Sequence, residues 1–178
     1  MSRFVNPEWG PLPTISDVKL ALRPFDPRDA WAMRGWDQDP ESQRFFEYPT
    51  LPPPDEHLRR AWWVIQRWRI QYARGETIPF IIEEANSLSI LGSVDLHQIR
   101  GDEADISYMT VPEHRRRGIA TSAVRLLLAE ANTRFGVETV FLEHHPDNAA
   151  SAIVAKRAGF TEVERSADRI RYVVPLVT

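Results

Sequence analysis

Apolar and polar positions follow a period of two in several short stretches and a helical period in others, and the two patterns take turns along the chain. Val18, Leu20 and Leu22 alternate with Lys19, Ala21 and Arg23, which predicts a half-buried first strand closed by Pro24. Asp26 before Pro27 predicts a helix start, since an aspartate cap and a proline at the first helical position are a favoured pair. That helix should end near Trp36, and the aromatic loop RFFEYPTLPPP follows it. Asp55 is placed to cap a second helix, on which Leu58, Trp62, Ile65, Trp68 and Tyr72 share one face and read as core, with Gly75 as the stop.

Residues 78–84 and 89–99 predict an antiparallel hairpin turning around Asn86 and Ser87, and a polar turn at Gly101 and Asp102 leads to a strand over 104–111. Pro112 stops that strand. A long helix then carries Ala120, Val124, Leu127, Leu128 and Ala131 as its buried stripe and ends at Gly136. Residues 139–142 predict a short interior strand. Asn148 is placed to cap a helix that stops at Gly159, and residues 160–163 and 170–176 close the chain as a strand pair. The order is β-α-α-β-β-β-α-β-α-β-β. It predicts an α/β (α+β) domain over residues 17–178 with a mixed, mostly antiparallel twisted sheet of about seven strands and four helices. Residues 1–16, with Pro7, Gly10, Pro11 and Pro13, read as an extended leader that Phe4 and Trp9 pin to the body or to a second copy; leader and tryptophans together offer a homodimer surface.

Composition narrows the function classes. With no cysteine the chain has no disulfide, thiolate nucleophile or cysteine-bound metal. A net charge of −3 gives no global basic footprint for nucleic acid, so a positive site has to be local. The N-terminal residues hold no apolar signal core, and no stretch reaches the roughly 18 apolar residues of a membrane span, so a cytoplasmic protein is expected. The local positive site is Arg115-Arg116-Arg117-Gly118, between a strand and the first turn of the long helix. First-turn amides have no partner inside a helix, and the helix dipole favours an anion there, so this turn is suited to hold phosphates.

Arg115-x-x-Gly118-x-Ala120 resembles the [QR]-x-x-G-x-[GA] acyl-coenzyme A signature of the GNAT superfamily of N-acetyltransferases. Asn148-Ala149-Ala150-Ser151, followed by Gly159-Phe160, resembles that superfamily's second block. The strand text GSVDLHQI and the run ISYMTVPEHRRRGIATSAV look most like its RimJ/RimL branch. The resemblance implies a GNAT-type fold, acetyl-CoA as acyl donor and no metal. It also implies direct attack by a primary amine, from a peptide N-terminus or a small molecule. By the same resemblance the amides of Arg117, Gly118, Ile119, Ala120 and Thr121 would hold the pyrophosphate, helped by the charges of Arg115, Arg116 and Arg117. Met109, Thr110 and Val111 would pair with the pantetheine arm, and an N–H near Val111 would meet the oxyanion. Asn148 and Ser151 would lie near the sulfur.

Three proton-handling candidates follow. Asp105 is the first choice for the base, being near the position of a strand glutamate in many relatives. His97, which shares a strand face with Asp95, is the second. For the acid, Ala155 stands where many relatives carry a tyrosine, so Ser151 is the expected donor to sulfur; Tyr108 points away from Asp105 by strand parity. The acceptor groove would lie by the FFEYP loop and Trp62 or Trp63, with Glu41, Glu47 and Asp95 available to a cationic amine. Two competing readings are a non-catalytic module that binds coenzyme A or a partner, and an RNA-facing protein that uses the arginines and tryptophans.

Overall fold

A computed structural model of the chain describes residues 4–45 and 56–176, apart from the side chain of Asp37. The leader opens with a small ribbon of β1 (Val5–Asn6) and β2 (Gly10–Pro11). It is therefore not simply extended. Phe4 and Leu12 are buried, and Trp9 packs against Tyr72 and Phe135 with ring centroids 5.8 and 5.7 Å away. β3 (Ile15–Ser16) then pairs with β4 (Leu20–Arg23). The first strand starts later than the alternation predicts. Asp17 accepts hydrogen bonds from the amides of Lys19 and Leu20 (2.7 and 2.8 Å), and this turn puts Val18 at its tip, 84% exposed.

Asp26 caps as expected, accepting from the Arg28 amide at 2.9 Å, but it opens a 3₁₀ turn, Pro27–Asp29, that runs into a short α1 (Ala30–Met33). Arg23 clamps this turn to the sheet through Asp29 (2.8 Å) and Glu83 (2.5 Å). A helix that the periodicity did not predict, α2 (Pro40–Phe45), takes the start of the expected aromatic loop. Asp39 caps it, accepting from the Ser42 amide at 2.7 Å. The rest of that loop, with Glu47, and the expected Asp55 cap lie outside the described residues. α3 (His57–Ala73) follows, with Gly75 beyond its end. Its buried stripe is His57, Ala61, Ile65 and Tyr72, so Trp62 lies about 100° round the helix and is 50% exposed rather than core.

β5 (Thr77–Glu84), β6 (Ile90–Arg100) and β7 (Glu103–Thr110) form an antiparallel meander. α4 (Ile119–Phe135), β8 (Thr139–His144), α5 (Ala149–Ala158), β9 (Thr161–Arg165) and β10 (Ile170–Pro175) complete the described chain. The sheet order is β3-β4-β5-β6-β7-β8-β10-β9, eight strands among the described residues against about seven expected. α1 and α3 cover one face, and α4 with α5 the other. β5, covered on both, is buried along nearly its whole length, so it reads as a continuous apolar run.

Among the described residues the only parallel neighbours in this sheet are β7 and β8, and they pair at three positions, Glu103↔Thr139, Ala104↔Val140 and Asp105↔Phe141. Beyond these the strands part, since β7 continues to Thr110 and β8 to His144. The split leaves backbone groups unpaired inside the sheet, and the site is built on it.

Candidate active site

A cleft of about 750 Å³ occupies the split. Its walls come from the ends of β7 and β8, the turn after β7 and the N-termini of α4 and α5. The turn is shaped for an anion. Pro112–His114 forms one 3₁₀ turn, then Arg116 and Gly118 both take left-handed backbone, at φ 59° and 77°. No side chain caps α4, and the first helical bond among its amides runs from Ser122 to the Gly118 carbonyl. The amides of Ile119, Ala120 and Thr121 thus stay available at the positive end of a long helix, and all three residues line the cleft. A Cβ on Gly118 would meet nothing within 4 Å, so the cradle is open; glycine is required there by its φ. These residues fit a diphosphate.

The arginines divide their work differently from the expectation. Arg115 is taken up by α2: its guanidinium bonds both Asp39 and Glu41 (2.7 Å to Glu41), reaches Ser42 Oγ at 3.2 Å, and donates to the Thr110 carbonyl at 3.3 Å. Its burial opposes the charge, yet the Asp39 and Glu41 carboxylates hold its pKa above the usual arginine value. Arg115 thus lines the cleft and also staples α2 to the turn. Arg117 turns to His114 (2.9 Å) and Glu84 (3.8 Å) and does not line the cleft. Arg116 does line it, together with Arg157 on α5, which the sequence reading missed. α2 also bonds the opposite lip, where Arg44 meets Asp147 at 3.0 Å and the Phe45 ring lies 6.4 Å from His145.

Backbone direction narrows a second expectation. The Val111 amide donates to the Leu91 carbonyl at 2.9 Å, so it is not free for an oxyanion. In an antiparallel ladder alternate residues bond the same neighbour, so Met109 and Ser107 also turn their backbone groups to β6. Tyr108 and Thr110 turn theirs to the split. Met109 also lines the cleft.

A second cleft of about 730 Å³ lies on the α3 face, and it shares the wall Ser107, Tyr108 and Met109 with the first. Its floor holds Asp95 and His97, neighbours on one face of β6. His97 Nδ1 lies 3.1 Å from Asp95 Oδ2, and Ser107 Oγ donates to Asp95 Oδ1 at 2.7 Å. Burial works against the charged imidazole, but the hydrogen bond and charge of Asp95, joined by Asp105, raise its pKa above 6.5. Asp105, the first choice for the base, is placed differently. It lines neither cleft, and its carboxylate is held by Arg100 at 3.1 Å and Arg171 at 3.9 Å. It stands at the vertex of the split, directly across the ladder from His97.

Asn148 caps α5 by accepting from the Ser151 amide at 3.0 Å, which sets Ser151 in the first turn facing the cleft. Tyr108 Oη lies 3.0 Å from Ser151 Oγ. Burial pushes the Tyr108 phenol up to about 12, so it is a protonated donor throughout the neutral range. The strand parity that turns Tyr108 away from Asp105 turns it toward α5, and that was the available signal for this pair. Ala155, where many relatives of the resembled superfamily carry a tyrosine, is fully buried. Among the described residues no group of three or more His, Asp or Glu side chains could hold a metal, and no helix is long and apolar enough to cross a membrane.

The family model of the acetyltransferase (GNAT) domain matches residues 19–161. An uncharacterized N-acetyltransferase, YoaA of Bacillus subtilis (strain 168), is 23% identical over 150 residues, covering 83% of this chain and 82% of that protein. The structure of Mycobacterium smegmatis RimJ in complex with CoA-disulfide superimposes with a TM-score of 0.80 at 19% identity, covering 92% of this chain and 88% of that one. A spermidine N-acetyltransferase from Vibrio cholerae, solved with CoA and spermine, gives 0.74 at 18% identity over 90% and 97% of the two chains. At these identities the structures establish a common fold, and the family model spans most of the chain. The chain belongs to the GNAT acetyltransferase family and is an N-acetyltransferase.

Proposed function

We propose that this protein transfers an acetyl group from acetyl-CoA to a primary amine by direct attack in a ternary complex, in the cytoplasm. The observation that carries this reading is the shared wall: two clefts of similar size meet at Ser107, Tyr108 and Met109, with proton-handling groups on both sides. The first cleft suits acetyl-CoA, with the diphosphate on the Gly118 to Thr121 amides and the thioester in the split. The second suits the amine. His97, oriented by Asp95, takes a proton from the attacking nitrogen as its bond to the acetyl carbon forms. The N–H groups of Tyr108 and Thr110 face the carbonyl oxygen as its charge builds. The C–S bond then breaks, and the Tyr108–Ser151 hydroxyl pair delivers a proton to the departing sulfur. Tyr108 recovers that proton from solvent, and His97 loses its own there.

Incubation of the protein with acetyl-CoA and a panel of small amines and N-terminal peptides, read by CoA thiol release, tests this. At least one amine class should raise release well above the hydrolytic background. No stimulation by any amine, with acetyl-CoA bound, would overturn it. In the same assay Tyr108→Phe and Ser151→Ala should each lower kcat by about 10²-fold. The double variant should lose little more, because the two hydroxyls act as one relay; fully multiplicative losses would separate their roles.

A further inference from the structure

α3 is a cationic wall. It carries Arg59, Arg60, Arg67 and Arg69 and no carboxylate from His57 to Ala73, in a chain whose net charge is −3. Arg60 and Arg67 are seven residues apart, so they share a face, and both line the acceptor cleft. The described lining also includes two carboxylates, and each is engaged elsewhere: Asp95 with Ser107 and His97, Glu76 with Arg74 at 3.9 Å. Glu41, which the sequence reading offered to a cationic amine, is spent on Arg115. Arg67 has no carboxylate partner among the described residues. Its guanidinium rests 5.7 Å from the Trp63 ring centroid, a contact that holds the charge in place without neutralising it.

A polyamine entering this cleft would bring its second ammonium against arginine. An amine with an anionic group would find a partner. We propose that the acceptor amine bears a carboxylate or phosphate, which Arg67 on α3 binds while the amine lies at His97. This rests on the reading of the second cleft as the acceptor site. The shared chemistry has two sources, an acidic peptide N-terminus and a small acidic amine.

Matched acceptors test it and separate the sources. One arm compares peptides with Glu, Gln or Lys at the second and third positions. The other compares γ-aminobutyrate with its amide and with putrescine. In at least one arm the anionic member should exceed its neutral isostere in kcat/KM by about tenfold, mainly through KM, the scale of a charge-assisted hydrogen bond. The ratio should fall toward one in Arg67→Gln and invert in Arg67→Glu; Arg67 is exposed, so both variants should keep the wild-type melting temperature. Equal or better use of neutral and dicationic amines overturns the proposal, and so does a preference that survives Arg67→Gln. Calorimetric titration of the anionic amines separates the two claims. Arg67-dependent binding without any turnover sinks the transfer reading and leaves this one; binding of neither kind removes both.

Discussion

Replacement of His97 by glutamine is expected to lower kcat/KM for amine acetylation by about 10²–10³-fold, with acetyl-CoA affinity retained. The imidazole lines the cleft on the α3 face and not the one at the Gly118 turn, so on the proposed mechanism the loss should fall on proton removal. The pH profile is the sharper measurement. A base works in its neutral form, so a pKa raised above 6.5 moves the rising limb of kcat/KM to higher pH. Burial pulls that limb down, Asp95 and Asp105 pull it up, and Arg100 opposes them. Asp95→Asn should therefore shift the limb toward lower pH as well as lower its plateau. A limb that stays in place in Asp95→Asn would show that another group sets it. Stability runs the other way. A histidine whose folded pKa is raised contributes stability fully below its unfolded value, and loses it as pH rises through the folded one. The site should thus be most active where His97 contributes least to the fold.

The second large effect is structural. Gly92→Ala would place a Cβ 2.0 Å from the Met109 carbonyl oxygen and 3.0 Å from the Met109 carbonyl carbon and the Thr110 Cα, on a backbone at φ 154°. These are backbone atoms of the paired strand, so no rotamer change relieves the clash. Overpacking and backbone strain together should cost about 3–5 kcal/mol, enough to lower the melting temperature by about 10 °C in a chain of this size. Gly101→Ala is the control: its φ is also positive, at 65°, but its Cβ would meet nothing within 4 Å, so it should cost only about 1 kcal/mol. Similar melting temperatures for the two variants would contradict the close approach of β6 and β7. Because Met109 lines both clefts, a folded fraction of Gly92→Ala should also lose activity out of proportion to its stability.

Most of the elements were legible from local rules. Asp26 and Asn148 are caps, Gly75, Gly136 and Gly159 stop helices in left-handed conformations, and the β5–β6–β7 meander follows from apolar runs separated by polar turns. The errors were local as well. Asp17 diverts two amides from the strand that Val18 was expected to join, and a stripe with two possible phases placed Trp62 inside when Ala61 and Ile65 go there. α2 escaped notice because six residues carry too little periodicity to register.

The expected cofactor half of the site was local in the sequence because it draws on one continuous turn: Arg116, Gly118 and the first-turn amides of α4 lie within a few residues of one another. The proton-handling half was not. Asp95 and Ser107 come together across a strand pair, Tyr108 and Ser151 are 43 residues apart, and Arg115 is claimed by Asp39, 76 residues earlier. Parity and capping can say which face a side chain takes, but they cannot say which partner waits there. That depends on β7 and β8 parting after three pairs, on α5 closing over the gap and on α2 crossing it. The amino-acid sequence by itself determined most of the elements, the glycine-containing turn before α4 and the family. Only the tertiary structure decided that His97 lines the cleft on the α3 face while Asp105 pairs with Arg100 and Arg171, that Tyr108 meets Ser151, and that Arg115 bonds α2, because each is settled by contacts between segments far apart in the chain.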